Sequence, residues 1–345
     1  EVMQFLGQNI EGEIDEYLKD IDTNWQPSDF LPKNNDPEFT NEIKEIQEQC
    51  RELPYDYMAV LVGDIITEEA LPTYESWLID IEGISKVAHE VGVPLIVDNT
   101  VPTPYLIRPL EWGADIVVHS LTKFIGGHGT SIGGAIIDGG KFDFGQNDKY
   151  PNFTEPDPSY HGLAYWPALG HGSFIIKARV QMLRDLGMAT TPDNAFNFLQ
   201  GLETLSFRMD RHWANAQKVG EFLAKHPQVE EVFYAGLTTS KWHERAKRYG
   251  KGLGYGSVLA FNIKGGREAG EKFVAGLQLH SHVANIGDVR SLVIQPSTTT
   301  HSQLTAEEQV ASGVNPGLVR LSVGLESIND ILADLALGFA AAAAK

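Results

Sequence analysis

The sequence is poor in cysteine, in long apolar runs and in clustered basic charge, and each shortage excludes a class of protein. Its single cysteine, Cys50, cannot form an internal disulfide or a thiolate metal cage, which suits a reducing compartment and leaves Cys50 as an inert helix residue. No stretch approaches the roughly 18 apolar residues of a membrane-spanning helix, and the N-terminus has no secretory pattern. The expectation is a cytoplasmic chain without a membrane partner. A formal charge of −19 is the wrong sign for gripping phosphate backbones, so nucleic acid is not an expected partner. Eleven histidines show no metal-ligand spacing, and no metal site is expected.

The acidic excess is uneven. Residues 1–83 hold 21 Asp and Glu against 4 Lys and Arg, whereas the rest is nearly balanced. In this first segment Val2, Phe5, Leu6, Ile10, Ile14, Tyr17, Leu18 and Ile21 recur at helical spacing. Pro27, Pro32 and Pro37 then mark a loop, and a second helical pattern opens near Phe39. Residues 1–83 therefore read as helices and loops without strands.

From Ile84 the texture alternates between helix and strand. ISKVAHEVG reads as a helix ending at Gly92, VPLIVD as a buried strand, PYLIRPLEWG as a connecting helix and ADIVVHS as a second strand. These make a βαβ unit with parallel strands, whose carboxyl ends are where ligands gather. Asp98 falls at one such end, and Ser120, Thr122 and Lys123 at the other. Pyridoxal phosphate (PLP) needs these kinds of group: a lysine amine for its aldehyde, hydroxyl donors for its phosphate and a carboxylate facing the pyridine nitrogen. Taken singly, an Asp after a strand is more often a turn or cap residue, and a lone Lys is usually a solvated charge.

Further along, NAFNFLQGLETLSFRMDRHWANAQKVGEFLAKH reads as one long helical pattern. Beyond it, VEEVFY and SVLAFNI strands alternate with REAGEKFVAGL and a final alanine-rich helix, giving a smaller α/β domain. Gly252, Gly254 and Gly256 read as loop glycines rather than a dinucleotide loop, because no strand–helix frame surrounds them. His119 and His128 are expected to pack or orient near the lysine loop.

Two family resemblances follow from the wording. WQPSDFLP and LVGDIITEEALPTYESWL resemble the acyl-carrier-protein desaturases, a di-iron family, in which a glutamate of the second stretch ligates iron; Glu68 or Glu69 would match it. A di-iron bundle needs Glu-x-x-His on two helices, and the sequence contains none, so a solvated helix face is the alternative reading. VDNTVPTPYL, GADIVVHSLTKFIGGHG and VRLSVGLES resemble the PLP-dependent cysteine and methionine metabolism enzymes. GGHGTSIGG, DPSYHGL, FLQGLETLSFRM and IKGGREAG resemble the O-acetylhomoserine sulfhydrylase branch of these.

The second resemblance runs from Ile84 to the C-terminus and implies an α/β fold of PLP fold type I (aspartate aminotransferase-like). Its large domain, residues 84–210, is incomplete; a small α/β domain, residues 211–345, follows it, and a helical segment, residues 1–83, precedes it. It implies Lys123 as the lysine that binds the PLP aldehyde, Asp98 at the ring nitrogen and Ser120 and Thr122 at the phosphate. Arg320 would clamp the substrate carboxylate, with Asn285 and Thr300 nearby; a surface arginine is the alternative. Gln295, Pro296 and Ser297 stand where relatives commonly read HPAS. The implied reaction is γ-replacement of O-acetylhomoserine by sulfide, giving homocysteine and acetate, in a homo-oligomer (dimer or tetramer). By the same resemblance, a Gly-rich helix start, a ring-stacking tyrosine, an asparagine and a Tyr-x-Arg would precede Ile84, and residues 1–83 show no counterpart. The two resemblances together make the chain a chimera, and a di-iron desaturase fragment or a catalytically inactive fusion is the alternative expectation.

Overall fold

The computed structural model describes residues 80–344, all within one compact unit. The expectations for residues 1–79, including Cys50, Glu68 and Glu69, lie outside the described residues.

Helix α1 (Ile81–Glu90) begins at an aspartate that can seal it. The Asp80 carboxylate accepts from the Gly83 amide at 3.1 Å, satisfying one of the unpaired donors of the first turn. Ile81 and Ser85, one turn apart, face inward. The compositional seam at residue 83 thus falls inside a helix. Strands β1 (Ile96–Asp98) and β2 (Ile116–Ser120) then pair in parallel, with Ile96 opposite Ile116 and Asp98 opposite Val118, as the βαβ pattern leads one to expect. Their connection is not one helix. It breaks into a helical turn, Thr103–Leu106, and a 3-10 turn, Pro109–Trp112, separated by extended Ile107. Pro109 lacks an amide donor and forces the residue before it out of helical space, so the helix cannot run through. Strand β3 (Gly134–Asp138) adds antiparallel to β2.

The long helical pattern is likewise divided, into α2 (Pro192–Glu203) and α3 (Leu205–Leu223), at Thr204. There a side-chain hydroxyl competes for backbone, donating to the Gly201 carbonyl at 3.3 Å. Strand β4 (Val229–Phe233) and helix α4 (His243–Tyr249) lead into a second sheet. This sheet comprises β4, β5 (Val258–Ile263), β8 (Leu318–Ser322), β7 (Leu292–Ile294) and β6 (Ser281–His282), side by side in that order. Only the β6–β7 pair is parallel. Every residue of β5 and β8 is buried, the polar Asn262, Arg320 and Ser322 included. Helices α5 (Gly266–Gly276) and α6 (Ile328–Ala343) pack on the sheet through Phe261, Phe273 and Phe339.

Helix α3 joins the two cores. Leu205 and Met209 pack with Val97, Val117 and Phe124 around the first sheet, while Ala216, Val219 and Leu223 pack with Leu259 and Phe261 at the second. Between these groups sits His212, fully buried, with Nδ1 against the Val323 carbonyl at 2.7 Å and its ring edge-on to Phe124. Burial pushes its pKa down to about 4. The unfolded chain therefore binds a proton near pH 6.5 that the folded chain refuses until about pH 4. Stability is lost as pH falls through that window, by up to roughly 3 kcal/mol. Urea unfolding from pH 7 to pH 4 should show this slope, and His212→Phe should flatten it; an equally steep slope in the variant would remove His212 as its source.

Candidate functional site

The register of β1 and β2 puts Asp98 and Ser120 on the same face of the ladder. Asp98 pairs with Val118, and Ser120 lies two residues further along β2, which returns the side chain to that face. Both lie at strand carboxyl ends. The Asp98 carboxylate is exposed and accepts from the Thr100 amide at 2.9 Å, and the Thr100 hydroxyl in turn accepts from the Ser120 amide at 2.7 Å. These two bonds tie the strand ends together. His119, the intervening residue, is buried; desolvation lowers its pKa against the opposing pull of the Asp98 charge.

After Ser120 the chain turns through a tight loop. The Thr122 hydroxyl accepts from the Gly133 amide at 3.1 Å, closing the loop on the start of β3. Lys123 is half-buried, and its amine donates to the Asn285 side-chain oxygen. Arg320, in the middle strand β8 and 5% exposed, reaches back to the Asn285 carbonyl at 3.4 Å. Residues 123, 285 and 320, distant in sequence, therefore meet. Burial lowers the Lys123 pKa, and the Arg320 charge lowers it further.

The loop after Lys123 is fixed from two directions. Gly287 packs so closely that a Cβ there would lie 2.6 Å from the Phe124 nitrogen, and the Gly127 carbonyl accepts from the Val289 amide at 2.7 Å. From the other side Arg208 of α3 donates to the carbonyls of Phe124 (2.5 Å), Ile125 (2.9 Å) and Gly201 (2.6 Å). Within FLQGLETLSFRM, no expected role falls on Arg208. Its signal was present: Leu205, Arg208, Met209 and His212 form one helical face, so a charge sits where the periodicity calls for an apolar residue.

Thr300 lies beyond β7, where its hydroxyl pairs with His301 Nδ1 at 2.9 Å. Gln295, one of the unusual residues there, is 1% exposed and donates to the carbonyls of Arg267 and Pro316, each at 2.9 Å. It braces the loop from within. His128, in contrast to His119, is exposed, and its Nδ1 meets the Gly126 carbonyl at 2.7 Å. Gly252, Gly254 and Gly256 all take positive φ in a loop, as expected. A cavity of about 410 Å³ opens beside Thr122, bounded by Gly129, Ser131, Asn197 and Thr204 among others. Lys123 and Asp98 do not line it, so the contacts among Lys123, Asn285 and Arg320, rather than this cavity, define the site. No cluster of potential metal ligands occurs among the described residues. Nor is any described helix long and apolar enough to cross a membrane.

Comparison with known proteins gives this geometry a family. The model of the Cys/Met metabolism PLP-dependent enzymes matches residues 65–340, and that of the fatty acid desaturases matches residues 1–93. The O-acetyl-L-homoserine sulfhydrylase of Leptospira meyeri is 60% identical over 265 residues, covering 74% of this chain and 60% of that protein. O-acetyl-L-homoserine sulfhydrylase 1 of Thermus thermophilus is 51% identical over 257 residues, covering 74% and 61%. The chain thus spans about 60% of the length of these relatives. Among solved structures, a Campylobacter jejuni protein assigned as an O-acetylhomoserine (thiol)-lyase, containing N'-pyridoxyl-lysine-5'-monophosphate, superposes with a TM-score of 0.72 at 40% identity. That match covers 76% of this chain and 62% of the other. Cystathionine gamma synthase from Xanthomonas oryzae superposes with a TM-score of 0.62 at 35% identity, covering 76% and 59%. With a model match across most of its length, and an α/β architecture shared with these structures, the chain belongs to the Cys/Met metabolism PLP-dependent enzyme family.

Proposed function

We propose that the chain binds PLP at Lys123 and serves γ-replacement on O-acetylhomoserine, with sulfide as the incoming nucleophile and homocysteine and acetate as products. The observation that carries this reading is the lysine amine that meets Asn285 in a half-buried site, with the Arg320 guanidinium close enough to lower its pKa. The residues fit the cofactor. A depressed lysine amine suits an aldehyde, since only the neutral form attacks it. The exposed Asp98 carboxylate and the Ser120 hydroxyl share the face and the strand ends at which a ring nitrogen and a phosphate would be held. Thr122 would join Ser120 at the phosphate.

When bound, PLP supplies an electron sink that acidifies the substrate's Cα and Cβ hydrogens. Asp98, as an anion, would keep the ring nitrogen protonated. Lys123, once its amine is free, would take the Cα proton, and burial and the Arg320 charge, by lowering its pKa, favour the neutral amine this step needs. Arg320 would grip the α-carboxylate through a two-pronged guanidinium contact, flanked by Asn285 and Thr300. This fixes which hydrogen faces Lys123. Loss of the acetate group from Cγ and addition of hydrosulfide there balance the reaction.

The cytoplasm is the compartment this reading implies, consistent with a chain holding one cysteine. A homo-oligomer, dimer or tetramer, is also part of the reading. Phe196, Leu199 and Phe207, between 60% and 77% exposed on α2 and α3, support it by offering apolar surface.

Two outcomes test the proposal. The purified full chain titrated with PLP should develop a visible absorbance band and release homocysteine from O-acetylhomoserine and sulfide. Asp98→Asn should keep the band while losing most turnover, and Arg320→Lys should raise KM by about 10- to 100-fold, the cost of a lost charge-assisted fork. A chain that stays colourless in excess PLP refutes the cofactor assignment, and coloured but inactive protein refutes the reaction. Separately, Arg320→Met removes the positive neighbour of Lys123. In an NMR titration of isotopically dimethylated protein, the Lys123 midpoint should move to higher pH; an unmoved midpoint would exclude Arg320 as a cause of the depressed pKa.

A further inference from the structure

Arg208 is a buried guanidinium, 6% exposed, whose described partners are the carbonyls of Phe124, Ile125 and Gly201 and the Thr204 hydroxyl. Burying a permanent charge against neutral acceptors is costly, and a purely packing role would be served as well by an apolar residue. What the charge achieves here is specific. It gathers the two carbonyls that directly follow Lys123, and a carbonyl at the α2–α3 junction, onto one rigid fork. Gly127 makes room for it: φ is +76°, and a Cβ there would lie 2.4 Å from Arg208 Nη1. At Gly201 a Cβ would meet the Ile125 carbonyl at 2.3 Å, so the α2–α3 junction closes directly on the loop. One turn along α3, His212 holds the Phe124 ring edge-on at 5.4 Å. The two carbonyls lie one and two peptides beyond Lys123, whose own carbonyl accepts from the Gly127 amide at 2.7 Å, so the fork holds the turn from which the Lys123 stem reaches Asn285.

We propose that Arg208 is a positioning residue for Lys123: its guanidinium sets the backbone orientation of the lysine loop and thereby keeps the amine in its half-buried place against Asn285. The inference rests on the reading of Lys123 as the cofactor lysine, and it adds a residue that touches neither cofactor nor substrate. The fork geometry matters as well as the charge, because a lysine at 208 offers no planar array of donors.

The test measures the amine itself without cofactor. Trace acetylation of the full apo chain across a pH series, read by peptide mass spectrometry, gives a titration midpoint for each lysine. Lys177, whose side chain is 13% exposed and rests over the Tyr165 ring in a separate aromatic cluster, serves as the internal reference. In Arg208→Met the Lys123 midpoint should rise by at least about half a pH unit, roughly a threefold drop in free amine at a fixed pH below it, while that of Lys177 stays in place. Arg208→Lys should restore part of the shift. If the Met variant loses its folded circular dichroism, Thr204→Val, which deprives the guanidinium of one acceptor, should move Lys123 in the same direction by less. An unchanged Lys123 midpoint in a folded variant overturns the proposal, as does an equal movement of Lys177, which would mean general loosening. Protection of wild-type Lys123 by PLP in the same assay reads the cofactor assignment separately: its absence would sink that reading whatever Arg208 does.

Discussion

The buried polar face of α3 is the constraint on which the site depends. Arg208 binds the backbone after Lys123, His212 packs on Phe124 and reaches the Val323 carbonyl, and the Asn215 amide donates to the Gly324 carbonyl at 2.9 Å. A single helix face thereby bolts the lysine loop of the first sheet to the end of β8, the strand that carries Arg320. Hydrogen bonds to buried backbone carbonyls are directional and expensive to leave unmade, so they specify one arrangement where apolar packing alone would tolerate several. The segment carrying Asn285 completes the enclosure. The Gly287 amide donates to the Ser322 hydroxyl at 3.1 Å and the Val289 amide to the Gly127 carbonyl, so both the loop and β8 hold it.

Such bracing has a chemical reason. A lysine kept partly out of water beside an arginine is under electrostatic pressure to lose its proton, and only a stiff backbone stops it from swinging out to solvent. The glycines at 127, 201 and 287 are where this stiffness is achieved by close approach, since a side chain at any of them would collide with the loop or its tie. Gln295 shows the same economy at the far side of the second sheet, where its buried amide joins α5 to the segment before β8 through the Arg267 and Pro316 carbonyls.

The sequence made much of this legible, for reasons that can be located. The apolar runs around Val97 and Val117, separated by a connection too long for a hairpin, read as parallel strands because parallel strands are buried and need a crossover. Lys123 and Asp98 stood out because their residue types fell at the carboxyl ends of those strands. The broken connection at Pro109 was also in the letters, as proline within a helical pattern stops it. The break at Thr204 was not, since threonine is tolerated in helices and only the tertiary demand of Arg208 and Gly201 gives it an alternative partner. Arg208 itself escaped because an arginine within LSFRMDRHW looks like ordinary surface charge until the helical phase is set. The contact of Asn285 with Lys123 is a long-range pairing that no local pattern encodes. The motif wording suggested a neighbourhood, and the distances supply the contact.

The central claim is that the amine at position 123, among all lysines of the chain, is the one that captures the cofactor aldehyde. Incubating the full chain with PLP, reducing with borohydride and mapping the pyridoxyl adduct by peptide mass spectrometry tests it most directly. The adduct should lie on the peptide containing Lys123, at near-stoichiometric yield. An adduct concentrated on another lysine, or spread evenly over exposed ones such as Lys86 and Lys272, would contradict it.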